Sequence, residues 1–406
     1  MTDRHYALFE ELQRARGVDI GRVREKLKAL RVETPSWGYG DSGTRFKVFQ
    51  QTGVPRNPFE KIEDAAVVNR LTGICPSVAI HIPWDVVDDY SRLQAHAREQ
   101  GVRIGAVNPN LFQDDDYVFG SVCNSNPDVR RKATRHLLEC VDIARAVDSN
   151  VISLWFADGS NYPGQVDIRK RKHFMLDALS EVYQSLDGDM RMLVEYKFFE
   201  PGFYHTDLAD WGMAYTLANR LGPRAEVLVD TGHHAQGTNV EHIVAFLLDE
   251  QKLGGFHFNS RKYADDDLIV GAINPYELFL IFHQILAASA DADAGVRQTA
   301  DRIAYMIDQS HAIEPKIPAM IRSVLNVQTQ YAKALLIDLQ ALAKAQAEQD
   351  VMAAENEVRS AFEFDVTPLL HAVREEMGVP LAPMGAYLAS EHPQQILARG
   401  KGGASW

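Results

Sequence analysis

The sequence predicts a (β/α)₈ barrel with helical extensions at both ends, and three observations carry that prediction. A short apolar run followed by an amphipathic stretch recurs eight times along the chain. The runs are rich in Val, Ile, Leu or Phe and bounded by Gly, Pro, Asn or Asp, the pattern of strands buried on both faces of a parallel sheet. No Pro-, Gly- or Ser-rich linker divides the 406 residues, so a single barrel with appendages fits better than two or three separate domains.

In chain order, residues 3–30 read as one or two helices. The apolar runs follow near 31–35, 77–83, 103–108, 150–156, 190–197, 225–230, 254–259 and 302–308. Helical stretches lie between and after them, at about 59–72, 86–100, 127–147, 167–187, 207–221, 239–252, 274–290 and 315–340. Leu137, Cys140, Val141 and Ala144 form an i, i+3, i+4, i+7 stripe, and Asn126-Pro127 places a cap and then Pro at that helix's start. The chain divides into residues 1–341, barrel with N-terminal helices, and 342–406, a C-terminal helical extension ending in a glycine-rich tail.

Lys and Arg total 42 against 55 Asp and Glu, a formal charge of −13, which argues against nucleic acid or anionic lipid as partners. Three scattered cysteines (Cys75, Cys123, Cys140) and no CxxC suit a reducing cytoplasm and argue against a cysteine zinc site. The N-terminus lacks a signal-peptide core, and no apolar run reaches 18 residues, so we expect no membrane span. Gly38, Gly40 and Gly43 match GxGxxG by letter but have no strand–turn–helix context; no P-loop or nucleophile elbow is present. A metal rather than an organic cofactor is therefore expected to carry the chemistry.

Barrel enzymes place their sites at the C-terminal ends of the strands. Runs five to eight end in Glu195, Asp230, His257 and Asp308. One such residue reads equally well as a helix cap, but four metal-ligand types in succession point to a divalent cation, because clustered carboxylates repel one another unless neutralised. Oxygen-rich ligation with one imidazole suits Mn²⁺, Mg²⁺ or Co²⁺. His233 lies three residues after Asp230, and Asp265 and Asp267 follow His257. If 265–267 is extended, those two carboxylates share a side, and His233, Asp265 and Asp267 form a second metal set. Lys197, i+2 from Glu195, reads as a salt-bridge partner or as a donor polarising a substrate oxygen. Trp37, Trp84 and Trp155 follow strands one, two and four, where core packing competes with stacking on a sugar face; His81 is either structural or hydroxyl-binding.

Together these residues resemble L-rhamnose isomerase of the xylose-isomerase-like barrel superfamily. The resemblance rests on Glu195-x-Lys197, Asp230-x-x-His233, His257, Asp265-x-Asp267 and Asp308-Gln309-Ser310-His311, with the segment Pro35-Ser36-Trp37-Gly38-Tyr39-Gly40-Asp41-Ser42-Gly43-Thr44-Arg45-Phe46. It covers residues 33–311 and is most like the broad-specificity bacterial branch; Ala312 stands where that family often has Asn. It implies two divalent ions, Mn²⁺ first, with Co²⁺, Mg²⁺ or Zn²⁺ as the other candidates. A structural ion would lie on Glu195, Asp230, His257 and Asp308, and a catalytic one on His233, Asp265 and Asp267, with Asp230 a candidate for sharing between them. The expected reaction converts L-rhamnose, L-mannose, L-lyxose or D-allose to the ketose by a hydride shift from C2 to C1. Lys197 would act on O1 and Asp308 on ring opening, with Glu195 and His233 in the catalytic centre. Trp37, Phe46, His81 and Trp155 would shape the sugar subsite, in a cytoplasmic homotetramer. The alternatives are a keto-sugar epimerase of the same superfamily and a non-catalytic, metal-stabilised sugar-binding protein.

Overall fold

The computed structural model describes residues 2–41, 48–200, 203–310 and 313–402. Eight parallel strands stand side by side in chain order: Thr34–Pro35, Ser77–Ile82, Arg103–Pro109, Val151–Leu154, Arg191–Glu195, Ala225–Asp230, Leu253–Phe258 and Ala304–Ile307. A parallel bridge between Glu33 and Met306 joins the last strand to the first and closes the barrel. The backbone exchange is Glu33 N to Tyr305 O at 2.8 Å and Ile307 N to Glu33 O at 2.9 Å. All eight expected runs are barrel strands. The first shrinks to two residues, because Pro35 cannot donate to a ladder and Trp37–Tyr39 turns into a short 3₁₀ helix.

Helices cover the sheet between strands. Pro127–Ala146 is capped by the Asn126 side chain, which accepts from the Asp128 amide at 2.9 Å, and it buries Leu137, Cys140, Val141 and Ala144. The helix expected over 315–340 breaks into Lys316–Ala334 and Leu339–Ala347, since Asp338 caps a new helix by accepting from the amides of Gln340 and Ala341. A further helix, Ala294–Asp301, and a three-stranded antiparallel sheet at the barrel mouth (Gly159–Ser160, Tyr204–Thr206, Phe199–Glu200) were not expected.

The main core lies between sheet and helices, and side chains of both extensions join it: Phe9, Val23 and Leu27 from the N-terminal helices, and Leu369, Leu370, Val373 and Tyr387 from the C-terminal ones. The 341/342 position falls inside the helix Leu339–Ala347. No described helix is long and apolar enough to cross a membrane.

A second, smaller cluster plugs the barrel interior: Ala79, Ala106, Val151, Leu193, Leu228 and Met306, with Trp37 above them. In a strand, residues two apart point the same way. Two residues beyond the plug lie His81, Asn108, Glu195, Asp230 and Asp308, and His257 occupies the corresponding level of its strand beside Asp230. The polar centre is thus the next layer of the barrel, resting on an apolar floor.

Candidate metal and sugar site

Glu195, Asp230, His257 and Asp308 each place one ligand-type atom within 4.8 Å of the others'. Glu195 bridges the two imidazoles: its Oε1 lies 3.2 Å from His233 Nδ1 and its Oε2 lies 3.1 Å from His257 Nδ1. Asp308 Oδ2 is 3.7 Å from His257 Nδ1, while its Oδ1 accepts from Trp37 Nε1 at 2.7 Å. Asp230 is wholly buried, and Asn259 Nδ2 donates to both of its oxygens at 3.0 and 3.1 Å. Asn259 was missed as a site residue, although its i+2 spacing from His257 was a usable signal.

A second donor set adjoins the first. It comprises Asp230, His233 and Asp265, with His233 Nε2 3.3 Å from Asp265 Oδ1. His233 Nδ1 donates to the Tyr196 carbonyl at 3.0 Å, which leaves Nε2 facing Asp265 and Asp230. Asp267, expected beside His233 and Asp265, is not among the three residues of this group. The 261–267 segment bends rather than extends, and Asp267 has a left-handed backbone with φ of 46°. Asp266 turns back to accept from the amides of Lys262 and Tyr263. Asp267 still lies near the centre: burial, reinforced by Asp265, Asp308 and Asp230, pushes its carboxyl well above the usual range.

Burial also drives the Asp230 carboxyl up to about 7, with Glu195, Asp308 and Asp265 acting in the same sense. Burial alone would lower the two imidazoles, but the surrounding carboxylates outweigh it. They carry His233 up to about 10 and His257 up to about 9. Such a cluster carries strong internal conflict without a cation. His257 Nε2 is buried without a hydrogen-bond partner, and such an atom costs about 1–3 kcal/mol unless something else satisfies it. The donor set therefore fits a divalent metal with oxygen and imidazole ligands.

Lys197 Nζ lies 2.5 Å from Asp265 Oδ2, 2.8 Å from Glu200 Oε2 and 5.0 Å from the centre of the Trp155 ring. Trp37, His81, Trp84, Phe112 and Trp155 form a chain of ring contacts along the wall beside Asp308; His81 stacks on Trp84 at 3.8 Å between centroids. Phe112, on an irregular loop, carried no periodic signal. Burial, with Lys61 nearby, holds the His81 imidazole well below its ordinary pKa, so it is neutral. Phe46 and His311 lie outside the described residues.

Cys123, Asp158 and Asp207 also come within ligand distance of one another. Their oxygens are already taken: Asp158 accepts from Ser121 N, Ser121 Oγ and Cys123 N, and Asp207 receives Arg171. This cluster ties the loops after strands three, four and five together.

Fold and site define a (β/α)₈-barrel protein with an acidic–imidazole centre on the C-terminal rim. The chain belongs to the xylose isomerase-like TIM barrel family, whose pattern matches residues 76–284. It is 42% identical over 403 residues to a Rhizobium meliloti protein named probable sugar isomerase, covering 98% of this chain and 92% of that one. A Mesorhizobium japonicum protein of the same name is 40% identical over 401 residues, with coverage of 98% and 92%. Among solved structures, an L-ribulose 3-epimerase superposes with a TM-score of 0.56 at 13% identity, covering 79% of this chain and 98% of that chain. A D-allulose 3-epimerase from Methylomonas sp. gives 0.54 at 13%, covering 74% and 97%. At that identity these two bear on the fold alone.

Proposed function

We propose that the protein is a metal-dependent aldose–ketose isomerase acting on L-rhamnose and related aldoses such as L-mannose, L-lyxose or D-allose. The observation that carries this reading is the pair of adjoining donor sets sharing Asp230, with Lys197 on Asp265. The names of the two relatives matched along nearly the whole chain support it. Glu195, Asp230, His257 and Asp308 would hold one divalent ion, and His233, Asp265 and Asp230 a second, with Asp267 beside them. Mn²⁺ is our first candidate, then Co²⁺, Mg²⁺ or Zn²⁺. Such ions supply Lewis-acid charge that lowers the cost of negative charge on adjacent sugar oxygens.

The chain's own residues would do the rest. The rings of Trp37, His81 and Trp155 pack against the C–H faces of the open-chain sugar and exclude water. Neutral His81 can donate to or accept from a hydroxyl. The hydrogen on C2 moves to C1 as hydride, the O2 proton is lost and O1 gains one, so aldose and ketose differ by no atom. Lys197, held by Asp265 and Glu200, stabilises charge on O1, and Asp308 assists ring opening. We further propose a cytoplasmic homotetramer; the three cysteines are buried and unbridged.

The test is a panel of those four aldoses, assayed after chelator stripping and metal add-back. Metal-restored ketose formation is expected, and no turnover with any ion overturns the reading. On C2-deuterated aldose in ordinary water, deuterium retained at ketose C1 supports the hydride shift, whereas full washout supports an enediol. A keto-sugar epimerase would instead invert a ketose carbon and leave the aldoses untouched. Light scattering of the purified protein tests the tetramer.

A further inference from the structure

One buried ion pair lies just behind the aromatic wall. Lys61 and Asp85 are almost wholly enclosed, with Lys61 Nζ 2.7 Å from Asp85 Oδ1. The second carboxylate oxygen, Asp85 Oδ2, accepts from two segments at once: from Ser36 Oγ at 2.5 Å and from the His81 amide at 2.8 Å. Asp85 N returns a bond to the His81 carbonyl at 2.8 Å, and Ser36 N bonds the Ala79 carbonyl at 2.9 Å. The ends of strands one and two are therefore joined through a single carboxylate.

The residues held are neighbours of the site. Ser36 precedes Trp37, whose indole donates to Asp308 and meets the His81 ring edge-on at 5.5 Å and 83°. Removing the Asp85 carboxylate would take one side-chain tie from each ring-bearing segment. A buried ion pair is in itself weak evidence for stability, since desolvation offsets most of its attraction. This one also spends its remaining acceptor capacity on the two backbone segments that present Trp37 and His81.

We infer that Asp85 is a positioning residue for the sugar subsite: its carboxylate, oriented by Lys61, sets the placement of Trp37 through Ser36 and of His81 through its amide. It touches no substrate and acts through those two rings, so its effect falls on sugar affinity rather than on the chemical step. The inference rests on the isomerase reading for what the subsite binds, but not for the clamp itself.

Ser36→Ala removes one arm and leaves the Lys61–Asp85 pair and the His81 arm in place. The double variant Asp85→Leu/Lys61→Met removes the carboxylate with both acceptors without stranding a buried ammonium, and Ser36→Thr restores the hydroxyl. Hydrogen–deuterium exchange over residues 36–40 and 81–85 should quicken in the first two proteins and stay near wild type in the third. With the best aldose, KM should rise roughly fivefold to tenfold in Ser36→Ala while kcat stays within about twofold. Unchanged exchange overturns the clamp. Faster exchange with unchanged KM, or a fall in kcat at constant KM, overturns the positioning role. A wild-type protein that turns over no aldose overturns the isomerase reading, and exchange then decides the clamp alone. If both variants unfold, the ion pair is purely structural and the inference fails.

Discussion

At the scale of single residues, the centre is defined by what its groups lack as much as by what they touch. His257 is enclosed by carboxylates, its Nδ1 3.1 Å from Glu195 Oε2, yet its Nε2 has no hydrogen-bond partner. Without a metal, protonated His233 and His257 would supply the positive charge that the carboxylates face. Because their pKa values are raised to about 10 and about 9, the stability they contribute is fully present below about pH 6.5 and fades as pH climbs through those values. Asp230, raised to about 7, works in the same direction: burying its ionised form costs stability as pH rises from about 4 to 7. The stripped protein should therefore melt at lower temperature at pH 8.5 than at pH 6.5. Metal needs deprotonated imidazoles, so Mn²⁺ should raise the melting temperature more at pH 8.5 than at 6.5, as calorimetry would read. Lys197→Met keeps the apolar stem against Trp155 but removes the charge. It should lower kcat about 10²–10³-fold, measurable in steady-state assays with saturating metal.

At the scale of elements, what was legible in the sequence were features with a fixed period. Glu195, Asp230, His257 and Asp308 could be read because each ends an apolar run, and Lys197 because it is two past Glu195. Asp267 could not be placed by period two, because its segment bends and nothing local fixes the direction of a side chain. Asp85 and Phe112 were invisible for a related reason: they act across loops, and loop pairings leave no periodic trace. Packing between strands is tight enough to test. A methyl added at Gly105 would collide with the Glu33 carboxylate, which accepts from the Ala106 amide at 2.8 Å at the closing seam of the barrel. Gly105→Ala should cost about 1–3 kcal/mol, seen as a lowered denaturant midpoint with little change in slope.

At the scale of the whole molecule, the two extensions are bound to the barrel and to each other. Arg16 pairs with Glu357 at 3.0 Å and Arg24 with Glu376, linking the N-terminal segment to the helices Val351–Glu363 and Thr367–Glu376. Arg399 reaches both oxygens of Asp64, on a barrel helix, at 2.8 and 2.9 Å. Ending the chain at residue 341 would expose the side chains that Leu369, Leu370, Val373 and Tyr387 now cover. That truncation should lower the melting temperature by about 10 °C or more, or abolish soluble expression, as scanning calorimetry and yield would report. The same view revises the meaning of the −13 charge: at least five of the acidic residues are gathered at one rim, where cations would offset them.

The Trp37–Asp308 bond gives the protein an optical reporter. An indole whose Nε1 donates to a carboxylate emits according to the negative charge it faces. A cation drawing on Asp308 would reduce that charge. Filling the centre should therefore shift the emission of Trp37, and Trp37→Phe should silence the shift.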